Sequence, residues 1–68
     1  MINETVKKIR EKAKMGQIEF SSVLDCTQSH ISKVERGVLY PSHDLIVRII
    51  RFAKKKRIKV DLNELFTE

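Results

Sequence analysis

Residues 17–37 read QIEFSSVLDCTQSHISKVERG, and the spacing within this stretch decides the fold. Phe20 and Leu24 share one face of a short helix that opens at Gly16-Gln17. Asp25, Cys26 and Thr27 then interrupt the pattern. Thr27 is a good N-cap, because its hydroxyl can accept from a backbone N–H one turn on, and Cys26 and Ile31 have staple spacing across that cap. A second helix is therefore predicted from Gln28 to Arg36. Gly37 follows it directly, where a left-handed residue commonly ends a helix.

The flanking sequence reads the same way. Asn3 to Lys14 places Val6, Ile9 and Ala13 on one stripe, with Asn3 as the expected N-cap and Glu4 in the first turn. Met15 can pack on Phe20 as a staple for the next helix. Val38-Leu39-Tyr40 forms a loop, and Pro41-Ser42 starts a further helix with Ser42 as N-cap and Asp44 in its first turn. Leu45, Ile46, Ile49, Ile50, Phe52 and Ala53 give that helix a wide apolar face, which suits a central position. Lys54, Lys55, Lys56 and Arg57 gather at its end, where the dipole favours cations. Asp61 with Glu64 resembles a capping box, and Val60 with Leu65 a staple, so a last short helix is predicted from Asp61. No strand-like alternation of useful length appears. The expectation is an all-α fold of five helices, with residues 1–68 forming a single domain.

Composition narrows the chemistry. The chain has 68 residues, 41% hydrophobic and 34% charged, a balance that suits a compact folded domain. Cys26 is the only cysteine and His30 and His43 the only histidines, so neither a disulfide nor a Cys/His zinc site is expected, and no cofactor. No nucleophile–base–acid set and no phosphate-cradling glycine loop appear, which argues against an enzyme. No apolar run could span a bilayer and no signal peptide is recognisable, so the expected location is the cytoplasm. The net charge of +5 and pI near 9.7 favour polyanionic partners. The run Lys54–Arg57, with Lys59 nearby, reads as a solvated helix end, as a phosphate patch or as a nuclear localisation signal. Cys26 reads as a packing residue in preference to a redox sensor.

Helical geometry selects the face of the second helix that is available to a partner. At 100° per residue, Gln28, Ser29, Ser32, Lys33 and Arg36 fall within an arc of roughly 140°, opposite Ile31 and Val34, with His30 and Glu35 flanking the apolar side. That outer face has no acid and carries two cations. Two short helices joined by about three residues match a helix-turn-helix, in which the first helix braces the second in the major groove. Gln can pair with the N6 and N7 edge of adenine, and Lys can donate to guanine O6 and N7, whereas Ser is less selective. Gln28, Ser29, Ser32 and Lys33 are thus the candidate base contacts. Gln17, Thr27 and Arg36 are candidates for the DNA backbone, Gln17 together with the exposed N–H groups of its helix. His43 reads from its position as a solvated helix start.

The chain resembles the Cro/repressor type of helix-turn-helix domain, the XRE family, over nearly its whole length. The likeness rests on Ile9-Arg10, on Gln17 opening the second helix, and on Phe20-Ser21 where a Leu-Ala pair is usual. It continues through Ile31-Ser32-Lys33-Val34-Glu35-Arg36-Gly37, Pro41-Ser42 and Leu62-Asn63-Glu64-Leu65-Phe66. The resemblance implies a lambda-repressor-like fold and a bacterial or phage regulator. It implies a phosphate contact at Gln17, base contacts at Gln28, Ser29 and Lys33, a bridge between Arg10 and Glu35, and an approach of His43 to the backbone or minor groove. The chain departs from the pattern at Ser21, whose hydroxyl needs a partner such as a carbonyl one turn back, and at Asp25 where glycine is frequent, although Asp tolerates the left-handed conformation better than most residues. It departs again in the longer exit around Ala53–Arg57 and in the apolar loop 38–40.

A domain of this size reads few base pairs, so a homodimer on a palindromic double-stranded operator is the leading expectation, acting as repressor or activator without room for an effector domain. The alternative is a protein-interaction module, antitoxin-like, that binds a partner through Val38-Leu39-Tyr40 or the C-terminal segment. The same loop, Ile58 and Phe66 are also the candidate dimer contacts.

Overall fold

The computed structural model describes residues 2–60, in which four α-helices follow one another: α1 (Ile2–Lys12), α2 (Gln17–Val23), α3 (Gln28–Glu35) and α4 (His43–Lys55). The fifth helix expected from Asp61, with its capping box and staple, lies outside the described residues. Among the described residues no strand occurs.

The ends of the helices follow from local chemistry. Thr27 Oγ1 accepts from the His30 N–H at 3.1 Å and Ser42 Oγ from the Leu45 N–H at 3.2 Å, as the cap chemistry predicts. Asn3 differs from expectation. It lies within the first turn of α1, and its side-chain amide donates 3.4 Å to the backbone carbonyl of Glu35. A tertiary acceptor thus replaces the local capping role.

All four helices terminate in one motif. The N–H of the residue after the cap bonds back three positions, and the next N–H bonds back five: Lys14 and Met15 after α1, Asp25 and Cys26 after α2, Gly37 and Val38 after α3, Arg57 and Ile58 after α4. The motif needs a left-handed residue, and φ is 59° at Lys14, 58° at Asp25, 76° at Gly37 and 59° at Arg57. Only one of these is glycine, so the chain accepts some strain at three turns. The residue that follows is apolar each time. Met15, Cys26 and Ile58 are half-buried and pack against the core, whereas Val38 stays exposed. That hydrophobic contact is the compensating term.

The core forms where the apolar stripes meet: Val6 and Ile9 of α1, Phe20 of α2 and Leu24 at its cap, Ile31 and Val34 of α3, and Leu45, Ile46, Ile49, Phe52 and Ala53 of α4. Phe20 and Phe52 meet edge to face, with ring centroids 5.4 Å apart. Ser21 is buried at the α2 helix contact, and its hydroxyl donates 2.8 Å to the Ile18 carbonyl, so the departure from alanine leaves no orphan donor. Cys26 is half-buried. Burial pushes its thiol up from the ordinary range, Arg48 opposes the shift and Asp25 adds to it.

Two outcomes are expected. Phe20→Ala removes a fully buried ring and should lower the unfolding free energy by roughly 3–5 kcal/mol, whereas Val38→Ala at an exposed site should stay within about 0.5 kcal/mol, both by urea titration. Because the folded Cys26 thiol holds its proton more tightly than the unfolded one, its contribution to stability is complete below the unfolded thiol's ordinary range and is lost as pH rises through the higher folded value. Alkylation of Cys26 near pH 8 should therefore be slower in the folded chain than in urea; equal rates would contradict the shift.

Candidate nucleic-acid interface

The site is built around α3. Ile31 and Val34 are fully buried and Glu35 is 8% exposed, so one side of the helix belongs to the core. Gln28, Ser29, Lys33 and Arg36 are exposed, and Ser32 and His30 are half-buried. The exposed side carries amide, hydroxyl and ammonium groups with no carboxylate among them. The Lys33 carbonyl accepts from both Val38 and Leu39, at 2.9 and 3.2 Å, which closes the end of the helix. Arg36 folds back, its Nε donating 3.3 Å to the Ser32 carbonyl.

The Glu35 carboxylate fixes this helix against the other two. Arg10 Nε donates to Oε2 at 2.7 Å and its second guanidinium nitrogen to Oε1 at 3.1 Å, a forked pair. A further Arg10 nitrogen donates 2.9 Å to the Met15 carbonyl, tying the α1–α2 link into the same cluster. Gln17 Nε2 donates to Oε1 at 3.1 Å. Arg10 and Glu35 side chains are 14% and 4% exposed, so both charges lie largely out of water. The hydrogen bond to Glu35 holds the Arg10 proton more firmly than usual, against the opposing effect of burial.

Gln17 thus stands at the start of α2 with its side chain held by Glu35 and not swinging freely. A carboxamide has two N–H donors, and this bond uses one of them. Thr27 uses its hydroxyl as the α3 cap. His43 begins α4 and is exposed. The structure therefore brings Arg10, Gln17 and Glu35 into one cluster and leaves Gln28, Ser29 and Lys33 on a separate outer face.

Two further tertiary contacts, besides that of Gln17 with Glu35, gave no signal in the sequence. One is Asn3 on the Glu35 carbonyl. The other is Arg48 of α4, whose guanidinium donates 3.3 Å to the Leu24 carbonyl at the end of α2. It steadies the turn that joins α2 to α3. Nothing in residue spacing announces a side chain reaching a carbonyl 24 positions away. Among the described residues no group of His, Cys, Asp and Glu could hold a metal, and no helix is long and apolar enough to cross a membrane.

This arrangement, a buried brace behind a short polar helix, defines a helix-turn-helix domain. The chain matches the helix-turn-helix family over residues 6–62, and it belongs to the XRE type of that family. It is 40% identical over 50 residues to an uncharacterized HTH-type transcriptional regulator, y4dL, of Sinorhizobium fredii (strain NBRC 101917 / NGR234). The matched part is 74% of this chain and 26% of that protein, so the chain spans about a quarter of the relative's length. No solved structure matches.

The brace makes a clear prediction. Arg10→Met leaves the buried Glu35 carboxylate without its cation and should cost roughly 3–5 kcal/mol of stability. Adding Glu35→Leu removes the orphaned charge and should recover much of that loss in urea titration. A double variant no more stable than Arg10→Met would show that the two residues do not act as a pair.

Proposed function

We propose that this chain is a sequence-specific double-stranded DNA-binding transcription regulator, repressor or activator, acting in the cytoplasm. The observation that carries the reading is the division of α3. Its apolar side and Glu35 are buried, while Gln28, Ser29 and Lys33 stand exposed with no acid between them. A face of amide, hydroxyl and ammonium groups suits base edges rich in acceptors. Family membership, the name of the partial relative and the net charge of +5 support it.

In this reading Gln28, Ser29 and Lys33, with Ser32 beside them, contact bases in the major groove. Gln17, pinned by Glu35, gives its remaining N–H to a phosphate. Arg36 and Thr27 flank the groove, and His43 lies on the backbone side. Two copies on a palindrome would supply the specificity that one short helix lacks. The exposed loop 38–40, with Val38 66%, Leu39 38% and Tyr40 50% exposed, favours a second reading in which the same fold holds a protein partner.

Selection from random duplex DNA at stated salt separates the two readings. DNA reading predicts an enriched, palindromic consensus; no enrichment moves the weight to the partner-binding reading. Gln28→Ala and Lys33→Ala should each relax preference at one base position by about 1–3 kcal/mol. Gln17→Ala should weaken all sequences about equally. If Gln28→Ala and Lys33→Ala select the unaltered consensus with full discrimination, the groove assignment is wrong.

A further inference from the structure

Seven of the chain's 14 cations fall between residues 48 and 59, and no acid occurs from residue 45 to residue 60. All seven are exposed. The base-reading face uses none of them. On α4, Arg48, Arg51 and Lys55 recur three and four positions apart, so they line one stripe of the helix. The stripe borders a shallow depression of about 250 Å³ between the end of α2 and α4, whose remaining lining is Val23, Leu24 and Phe52. Val23 is 52% exposed there. Arg48 is already oriented by its bond to the Leu24 carbonyl.

The mixture of groups discriminates between partners. A phosphate backbone is served by cations alone and gains nothing from an exposed valine. An acidic amphipathic segment uses both parts. Its apolar residue covers Val23 and the edge of Phe52, and its carboxylates meet the cations around the rim. The depression has room for one large side chain, the size of an anchoring contact in a peptide interface.

We propose that the α2–α4 depression docks an acidic amphipathic segment of a protein partner, with one large apolar side chain over Val23 and carboxylates against Arg51 and Lys55. The surface is distinct from the residues assigned to DNA. Its failure would leave the base-reading proposal standing, and the reverse holds as well.

The test titrates the whole ¹⁵N-labelled chain with a short helical peptide carrying leucine at every third or fourth position and glutamate elsewhere. Amide shifts should cluster at Val23, Leu24 and Phe52, and the affinity should fall with added salt. Replacing the peptide's glutamates by glutamine, or the chain's Arg51→Glu with Lys55→Glu, should weaken binding by about tenfold or more. The double variant should keep its thermal transition and its DNA consensus. The glutamine peptide tests the same claim on the unaltered chain, whatever the double variant does to folding. Shifts that are absent or fall on α3, or equal binding of the glutamine peptide, overturn the proposal. So does a non-operator duplex that reproduces the α2–α4 shifts and displaces the peptide, because the stripe would then be a phosphate surface.

Discussion

The contact between Arg10 and Glu35 joins residues 25 positions apart in the sequence, and the placement of α3 depends on it. A carboxylate taken out of water is costly unless its lone pairs are met by donors. Glu35 receives three: two from the Arg10 fork and one from Gln17. Those donors come from α1 and α2, so satisfying one buried charge fixes three helices at once. The backbone carbonyl of the same residue accepts from Asn3, which adds a second tether at the end of α3.

This constraint is about geometry more than net stability. A well-packed apolar trio in the same space could be as stable. A forked pair, however, tolerates little rotation, and a reading helix must present its side chains at a defined angle to be selective. The Met15 carbonyl, held by Arg10, extends the constraint into the link before α2, and Arg48 holds the turn after it through Leu24. Both ends of α2 are therefore clamped by arginines from other helices. The apolar core, with Phe20 against Phe52, supplies the driving force, and the polar braces set the orientation.

Much of this was legible in the sequence, for reasons that differ by element. The caps at Thr27 and Ser42, the left-handed Gly37 and the buried stripe of α3 are local, and local spacing reveals them, whereas the left-handed Asp25 follows from the family resemblance, which puts glycine there. Lys14 and Arg57 were not legible as left-handed, because neither type prefers that conformation; the apolar residue after each, Met15 and Ile58, was the available clue. Asn3 fits the cap role by residue type, yet a carbonyl 32 positions away claims its side chain. The place of Gln17 at the helix start is legible in the sequence, but its bond to Glu35 is not, since residue types cannot say which of several acceptors a flexible amide meets. The same limit hid Arg48. Of the candidate interface, the exposed face of α3 follows from helical periodicity alone, whereas the clamp that aims it follows only from tertiary contact.

We propose that α3, held from behind through Glu35, presents Gln28 and Lys33 to base edges. The most direct measurement is intermolecular nuclear Overhauser contacts between the labelled chain and its selected duplex. Contacts are expected from the Gln28 and Lys33 side chains to major-groove base protons, with the Arg10–Glu35 pair intact in the complex. Contacts from α4 or from loop 38–40 to the bases, with the α3 side chains remote from the groove, would contradict it.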